Sequence, residues 1–111
     1  MRILAIPEVR LYLQNLAITL YEKEFFGFED SARKYVIDLF EEIKKTLPIR
    51  LHKPAPKYFD KYGKDMKYAV FKKSSRTSWY VFFTTYEDEE TGEDIFLIRF
   101  IGNNHTVSQY L

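Results

Sequence analysis

Apolar residues recur at helical spacing in two early stretches of the chain, and three later stretches are strand-like runs rich in aromatic and β-branched residues. Val9, Leu13, Leu16 and Leu20 follow one another at helical intervals, with Ala17 beside them. Pro7 suits the first turn of this helix, where its missing N–H costs nothing, and Glu8 favours the helix's positive end. Gly27, inside "EFFGFED", marks the break. A second helix is the clearest element, with Ala32, Tyr35, Val36, Leu39, Phe40 and Ile43 on one apolar stripe. Asp30 or Ser31 can cap it, and Pro48 disfavours helix before it, so it ends at Thr46 or Leu47. Ahead of both helices, "MRILAI" reads as a short strand, edge or central.

A connection of eighteen residues, "PIRLHKPAPKYFDKYGKD", then breaks the pattern with three prolines and a glycine. Within it "PKYFDKYG" can form one helical turn. A loop of this length inside a compact domain is often functional or mobile. Beyond it the period changes to that of strands, in "MKYAVFKK", "SWYVFFTTY" and "IFLIRFI". "SSRT" and the acidic "DEETGED" join them as hairpin loops, with Thr91-Gly92 supplying a tight turn. The expectation is one α+β domain over residues 1–111, in which two antiparallel helices cover one face of a small, mainly antiparallel sheet of three to four strands.

Strand alternation makes Arg99 conspicuous. Phe96, Ile98 and Phe100 should share one face, and Ile95, Leu97, Arg99 and Ile101 the other. An unpaired guanidinium buried beneath two helices is very costly, so the Phe96 face should meet the helices and Arg99 should lie on the open face.

Charge sharpens the picture. The net charge is only +1, yet eleven of the 17 basic residues fall between Lys44 and Arg76, against Asp60 and Asp65 alone, leaving that third of the chain at about +9. Such a segment suits a phosphate-rich or acidic partner. Its lysines Lys57, Lys61, Lys64 and Lys67 alternate with Tyr58, Phe59, Tyr62 and Tyr68, followed by Lys72 and Lys73. Lysine charge with aromatic stacking fits a nucleic-acid surface, and the aromatics equally serve to hold the loop on the core. The chain has no cysteine and two histidines, which excludes a thiolate metal site and gives no zinc set, so neither metal nor cofactor is expected. No stretch is long and apolar enough for a membrane span, and a cytoplasmic protein is the expectation. In the tail, His105 is of a residue type that suits general acid–base work, while Tyr110 can stack on a base or anchor the chain end. His52 has no evident partner.

The opening strand, the "PEV…L" helix start, "ARKYVIDLFEEIKKTLP" and three strands ending in "IRFIGNN" resemble the RelE/ParE superfamily of bacterial toxins over nearly the whole chain. The resemblance implies two helices on a twisted antiparallel sheet and the toxin role in a type II toxin–antitoxin module. RelE-like members cut mRNA on the ribosome without metal; ParE-like members inhibit DNA gyrase without catalysis. A protein-binding module of the same fold that has lost toxicity is the remaining alternative. On this resemblance Arg99 and Arg76 would hold the scissile phosphate, His105 or Tyr110 would move protons, and Lys57, Lys61, Lys64, Lys67, Lys72 and Lys73 would grip RNA. Asn103 and Asn104 stand where many members carry a basic pair. The implied partners are a cognate antitoxin, whose acidic segment would lie along Lys44 to Arg76, and the ribosome with its mRNA, or gyrase; a weak homodimer is also compatible.

Overall fold

The computed structural model describes residues 1–23 and 27–111, so the "EFF" part of the expected break before Gly27 lies outside the described residues. The elements run β1 (Arg2–Ala5), α1 (Pro7–Glu22), α2 (Glu29–Thr46), β2 (Lys53–Pro54), β3 (Lys67–Lys72), β4 (Ser78–Glu87), β5 (Asp94–Asn103) and α3 (Asn104–Val107). Short 3-10 turns cover Leu47–Ile49, Lys57–Lys61 and Ser108–Tyr110.

The α+β expectation holds, but the sheet is larger than the three to four strands expected. Its five strands run in the order β1-β5-β4-β3-β2. β1 lies parallel to β5 at one edge, and the other neighbours are antiparallel. The two-residue β2 escaped the sequence reading because Pro54 and Pro56 mask it; an edge strand tolerates proline. A short third helix, which the sequence reading did not place, follows β5.

α1 and α2 bury the stripes their spacing announces. Val9, Leu13, Leu16 and Ala17 from α1 meet Val36, Leu39 and Ile43 from α2 over Phe71, Val81, Phe83 and Ile98 of the sheet. Trp79 closes this layer, and its indole N–H donates to the Tyr35 hydroxyl at 2.8 Å. The start of α2 differs from expectation. Phe28 is its N-cap and makes no side-chain cap bond. Glu29 and Asp30 instead fall in the first turn, where their charge meets the helix's positive end.

The other sheet face is not open. Phe59, from the Lys57–Lys61 turn, stacks on Phe82 with ring centroids 4.3 Å apart, and Val107 of α3 joins them. Tyr62 lies parallel to Phe100 at 4.1 Å. The proline-rich connection and the tail thus form a third layer around a second, smaller apolar cluster. Completely burying a residue such as Phe59 contributes roughly 1.5–3 kcal/mol, so the long connection is fastened by its own side chains.

A register shift in the β4–β5 ladder departs furthest from regular alternation. Phe83 pairs with Ile98 and Phe82 with Phe100, which leaves Arg99 as the extra residue of a β-bulge. Past it the faces exchange. Phe100 turns to the second cluster and Ile101 to the helix side, the reverse of the simple alternation expected for this pair.

Candidate functional site

Arg99 lies on the face away from the helices, as its charge demands, but that face is covered there by the connection. Its Nε donates to Thr84 Oγ1 at 3.0 Å. Its aliphatic stem lies so close to Gly63 that a Cβ at Gly63 would come within 2.6 Å of Arg99 Cδ. Among the described residues, no carboxylate comes within ion-pair distance of the guanidinium. Arg99 is therefore a half-buried cation, fixed by one hydroxyl and with its charge unanswered.

Its surroundings form a pocket of about 360 Å3 between the first turns of α1 and the Lys57–Lys61 turn. The pocket exists because β1 stops at Ala5, where the amide of Ile6 still donates to the Ile98 carbonyl at 3.1 Å before the chain turns into α1. Past Ile98 the β5 edge faces a helix instead of a strand. Tyr12, Tyr62 and Phe100 supply aromatic walls, and Glu8, Lys61 and Arg99 supply charge. Burial pushes the Tyr12 phenol above its ordinary pKa, so it remains a hydrogen-bond donor at neutral pH.

Beside this pocket Tyr58 and Tyr110 stack nearly parallel, 3.6 Å between centroids and 3° between planes. The Lys61 ammonium lies 4.0 Å from the centre of the Tyr58 ring. The neighbouring Tyr110 hydroxyl, and then Lys61, draw the Tyr58 phenol below its ordinary pKa. Tyr110 is raised in turn, chiefly by its hydrogen bond with Tyr58, and Lys61 is raised by the same phenol. A phenol that ionises early, a phenol that holds its proton and an ammonium form one surface cluster. Such a set can accept a proton at one atom and deliver one at another.

The predicted residues divide into groups. Arg99 and Lys61 line the pocket, and Tyr110 is linked to them through the Tyr58 ring on which it stacks and over which Lys61 lies. Arg76 and His105 do not join them: Arg76 lies in the exposed β3–β4 loop, and His105 is exposed in α3. Strand rise places the end of β5, at Asn103, roughly 13 Å beyond Arg99. Asn104 ties these two elements together, accepting from the Ser78 amide at 3.0 Å and donating to the Arg76 carbonyl at 3.1 Å. Asn103 caps α3 by accepting from the His105 amide at 2.9 Å. The two asparagines thus act as hairpin clasp and helix cap.

Lys57, Lys64, Lys67 and Lys72 are exposed. Lys73 is committed elsewhere, paired with Glu42 at 3.2 Å on the helix side. Glu42 also pairs with Arg50, whose guanidinium lies 3.9 Å over the Phe71 ring and donates to the Val70 carbonyl at 3.0 Å. His52 is structural: Nε2 donates to the Leu47 carbonyl at 2.7 Å, and the ring meets Phe83 edge-on.

Sequence reasoning singled out Tyr110 and Lys61 separately but did not join them to Tyr58. The signal was available in "YFDKY": Tyr58 and Lys61 stand three apart, the spacing that eclipses on one side of a 3-10 turn. On the opposite side of the molecule, α1 and α2 border a wider groove of about 540 Å3 with an apolar floor that includes Leu13, Val36, Ile37 and Phe40. Among its rim charges Glu29 and Arg33 are already paired, at 2.6 Å. Among the described residues no helix is long and apolar enough to cross a membrane, and no cluster of three or more His, Asp or Glu is arranged to hold a metal ion.

No protein-family model, curated protein or solved structure matches the chain.

Proposed function

We propose that this chain is the toxin of a type II toxin–antitoxin pair of the RelE/ParE kind, acting on RNA in the cytoplasm. The observation that carries the reading is Arg99: a cation held at a bulge, without an acidic partner among the described residues, in one pocket with Lys61, which in turn lies over the Tyr58–Tyr110 stack. A guanidinium so placed suits a phosphate, and stacked phenols suit nucleobases. In the reaction, the Tyr58 oxygen, whose phenol Tyr110 and Lys61 hold below its ordinary pKa, takes the proton of a ribose 2′-hydroxyl as it gives up its own to solvent, and the 2′-oxygen attacks the adjacent phosphorus. The bond from phosphorus to the 5′-oxygen breaks, and that oxygen takes a proton from Tyr110 or Lys61. Arg99 stabilises the charge that builds on the phosphoryl oxygens. The products are a 2′,3′-cyclic phosphate and a 5′-hydroxyl end. Lys57, Lys64 and Lys67 extend the positive surface toward ribosomal RNA, and an acidic antitoxin segment would cover it at rest.

The test is inducible expression of wild type, Arg99→Ala and His105→Ala, with pulse labelling of protein, RNA and DNA synthesis. Early loss of translation, relieved by Arg99→Ala and kept by His105→Ala, supports an RNA-directed toxin. Normal growth and translation on wild-type expression would defeat it.

A second reading is a ParE-like, non-catalytic toxin or a non-toxic binding module. The observation favouring it is the occupied sheet face, where Phe59, Phe82 and Val107 fill space a long RNA strand would need. Arrest with DNA damage and continuing translation, or no arrest, would move the assignment to one of these.

A further inference from the structure

We infer that the pocket between the start of α1 and the Lys57–Lys61 turn binds a single nucleotide unit, with its phosphate on Arg99 and Lys61 and its base among Tyr12, Tyr62 and Phe100. The inference rests only on the part of the reading above that gives Arg99 a phosphate. Volume limits the occupant. A cavity of about 360 Å3 lies at the small end of ligand pockets, room for one base with its sugar and not for a stacked pair. Charge selects the anion, since two cations line the pocket, one of them half-buried and without an ion-pair partner among the described residues, and neither is in an ion pair with Glu8. A phosphate with two ionisable oxygens matches a guanidinium and an ammonium better than a single carboxylate does. Wall chemistry selects a flat body, because three of the lining side chains are aromatic rings. Glu8 and the protonated Tyr12 phenol then supply an acceptor and a donor for sugar hydroxyls or base edges.

A free mononucleotide and one nucleotide of a single-stranded RNA present the same chemistry. Amide spectra of the isotope-labelled chain, titrated separately with adenosine 5′-monophosphate, adenosine, inorganic phosphate and a short single-stranded RNA, distinguish them. The monophosphate should shift the amides of Tyr12, Tyr62 and Phe100 together with Arg99. Adenosine should bind at least tenfold more weakly, and Arg99→Gln should weaken the monophosphate at least tenfold. Lys61→Ala, at an exposed position that leaves the fold intact, should weaken it about threefold to tenfold. RNA shifting the same amides more strongly than the monophosphate would make the source a strand, and the reverse order would make it a free nucleotide. Either result supports the pocket. Equal binding of adenosine and the monophosphate, shifts confined to the α1–α2 groove, no shifts at millimolar monophosphate, or unchanged affinity in a folded Arg99→Gln variant would each overturn it. These spectra use the purified chain without ribosomes, so a failed pocket leaves the growth-arrest result standing, and a missing arrest leaves the pocket measurable.

Discussion

The Arg99 Nε donates to Thr84 Oγ1 at 3.0 Å across the β4–β5 pair, and this hydroxyl decides where a guanidinium without an acidic partner among the described residues points. Thr84→Val keeps the shape and removes the acceptor. We expect a stability loss of about 1 kcal/mol by urea denaturation, and a disproportionate loss of growth arrest, because the cation is then free to swing. A variant that loses stability while its toxicity is unchanged would show that the hydroxyl serves the fold alone.

Gly102 answers for the tail as Thr84 answers for Arg99. A Cβ there would lie 2.7 Å from Val107 Cγ2 and 3.5 Å from the Phe100 ring. Gly102→Ala should therefore cost about 1–3 kcal/mol through overpacking. The loss should localise, with faster amide exchange in Val107 to Leu111 and loosening of the Tyr58–Tyr110 stack. Uniformly faster exchange throughout the sheet would contradict this assignment.

The tyrosine stack gives a spectroscopic prediction. In ultraviolet titration the wild type should show one phenol ionising below the ordinary value of 10.0, because Tyr110 and then Lys61 favour the Tyr58 phenolate. Tyr58→Phe should remove that component and let Tyr110 fall back toward its ordinary value. Tyr58 is lowered on folding, so its linked stabilisation is full above its unfolded pKa and is lost as pH falls through the lower folded value. At neutral pH, Tyr58→Phe should cost nothing through this route. Lys61 has the opposite sign: raised on folding, its contribution is present below the ordinary 10.5 and is lost as pH rises through the folded value.

Asp88 organises the acidic hairpin and closes it onto β1. Its Oδ1 accepts from the amides of Glu90 at 2.8 Å and Thr91 at 3.3 Å, while Oδ2 takes Arg2 at 2.6 Å. The backbone amides first, and Arg2 to a lesser degree, hold its pKa below the ordinary 3.8. A depressed carboxylate stabilises the fold above its unfolded pKa and loses that effect as pH falls through the lower folded value. The stability gap between wild type and Asp88→Asn should thus be full at neutral pH and close in acid. A gap that stays constant to low pH would assign Asp88 a purely neutral hydrogen-bonding role.

Much of the helix layer was legible in the sequence, because a 3.6-residue period survives any tertiary context that buries one stripe. Ala32, Val36, Leu39 and Ile43 needed no structure to be found. Arg99 was legible too, since charge forbids the helix face. The β5 bulge was not, because one-residue slips depend on the neighbouring strand, and nothing within "IFLIRFI" marks where its partner loses step. Lys73 looked free because Glu42, its counterion, lies 31 residues away on a helix. His105 looked chemical by residue type, yet its position is fixed by the Asn103 cap and Asn104 clasp, contacts that only the folded chain creates.

The bulge at Arg99 also has a meaning for descent. Deleting the residue would restore regular pairing and leave Phe100 and Ile101 each in its present layer, so the extra residue adds a cation to the strand without disturbing the packing around it. Lineages could therefore gain or drop this one letter while the fold persists, and what goes with it is the guanidinium. The additional letter between Ile98 and Phe100 is the inheritance to look for when distant kin of this chain are sought.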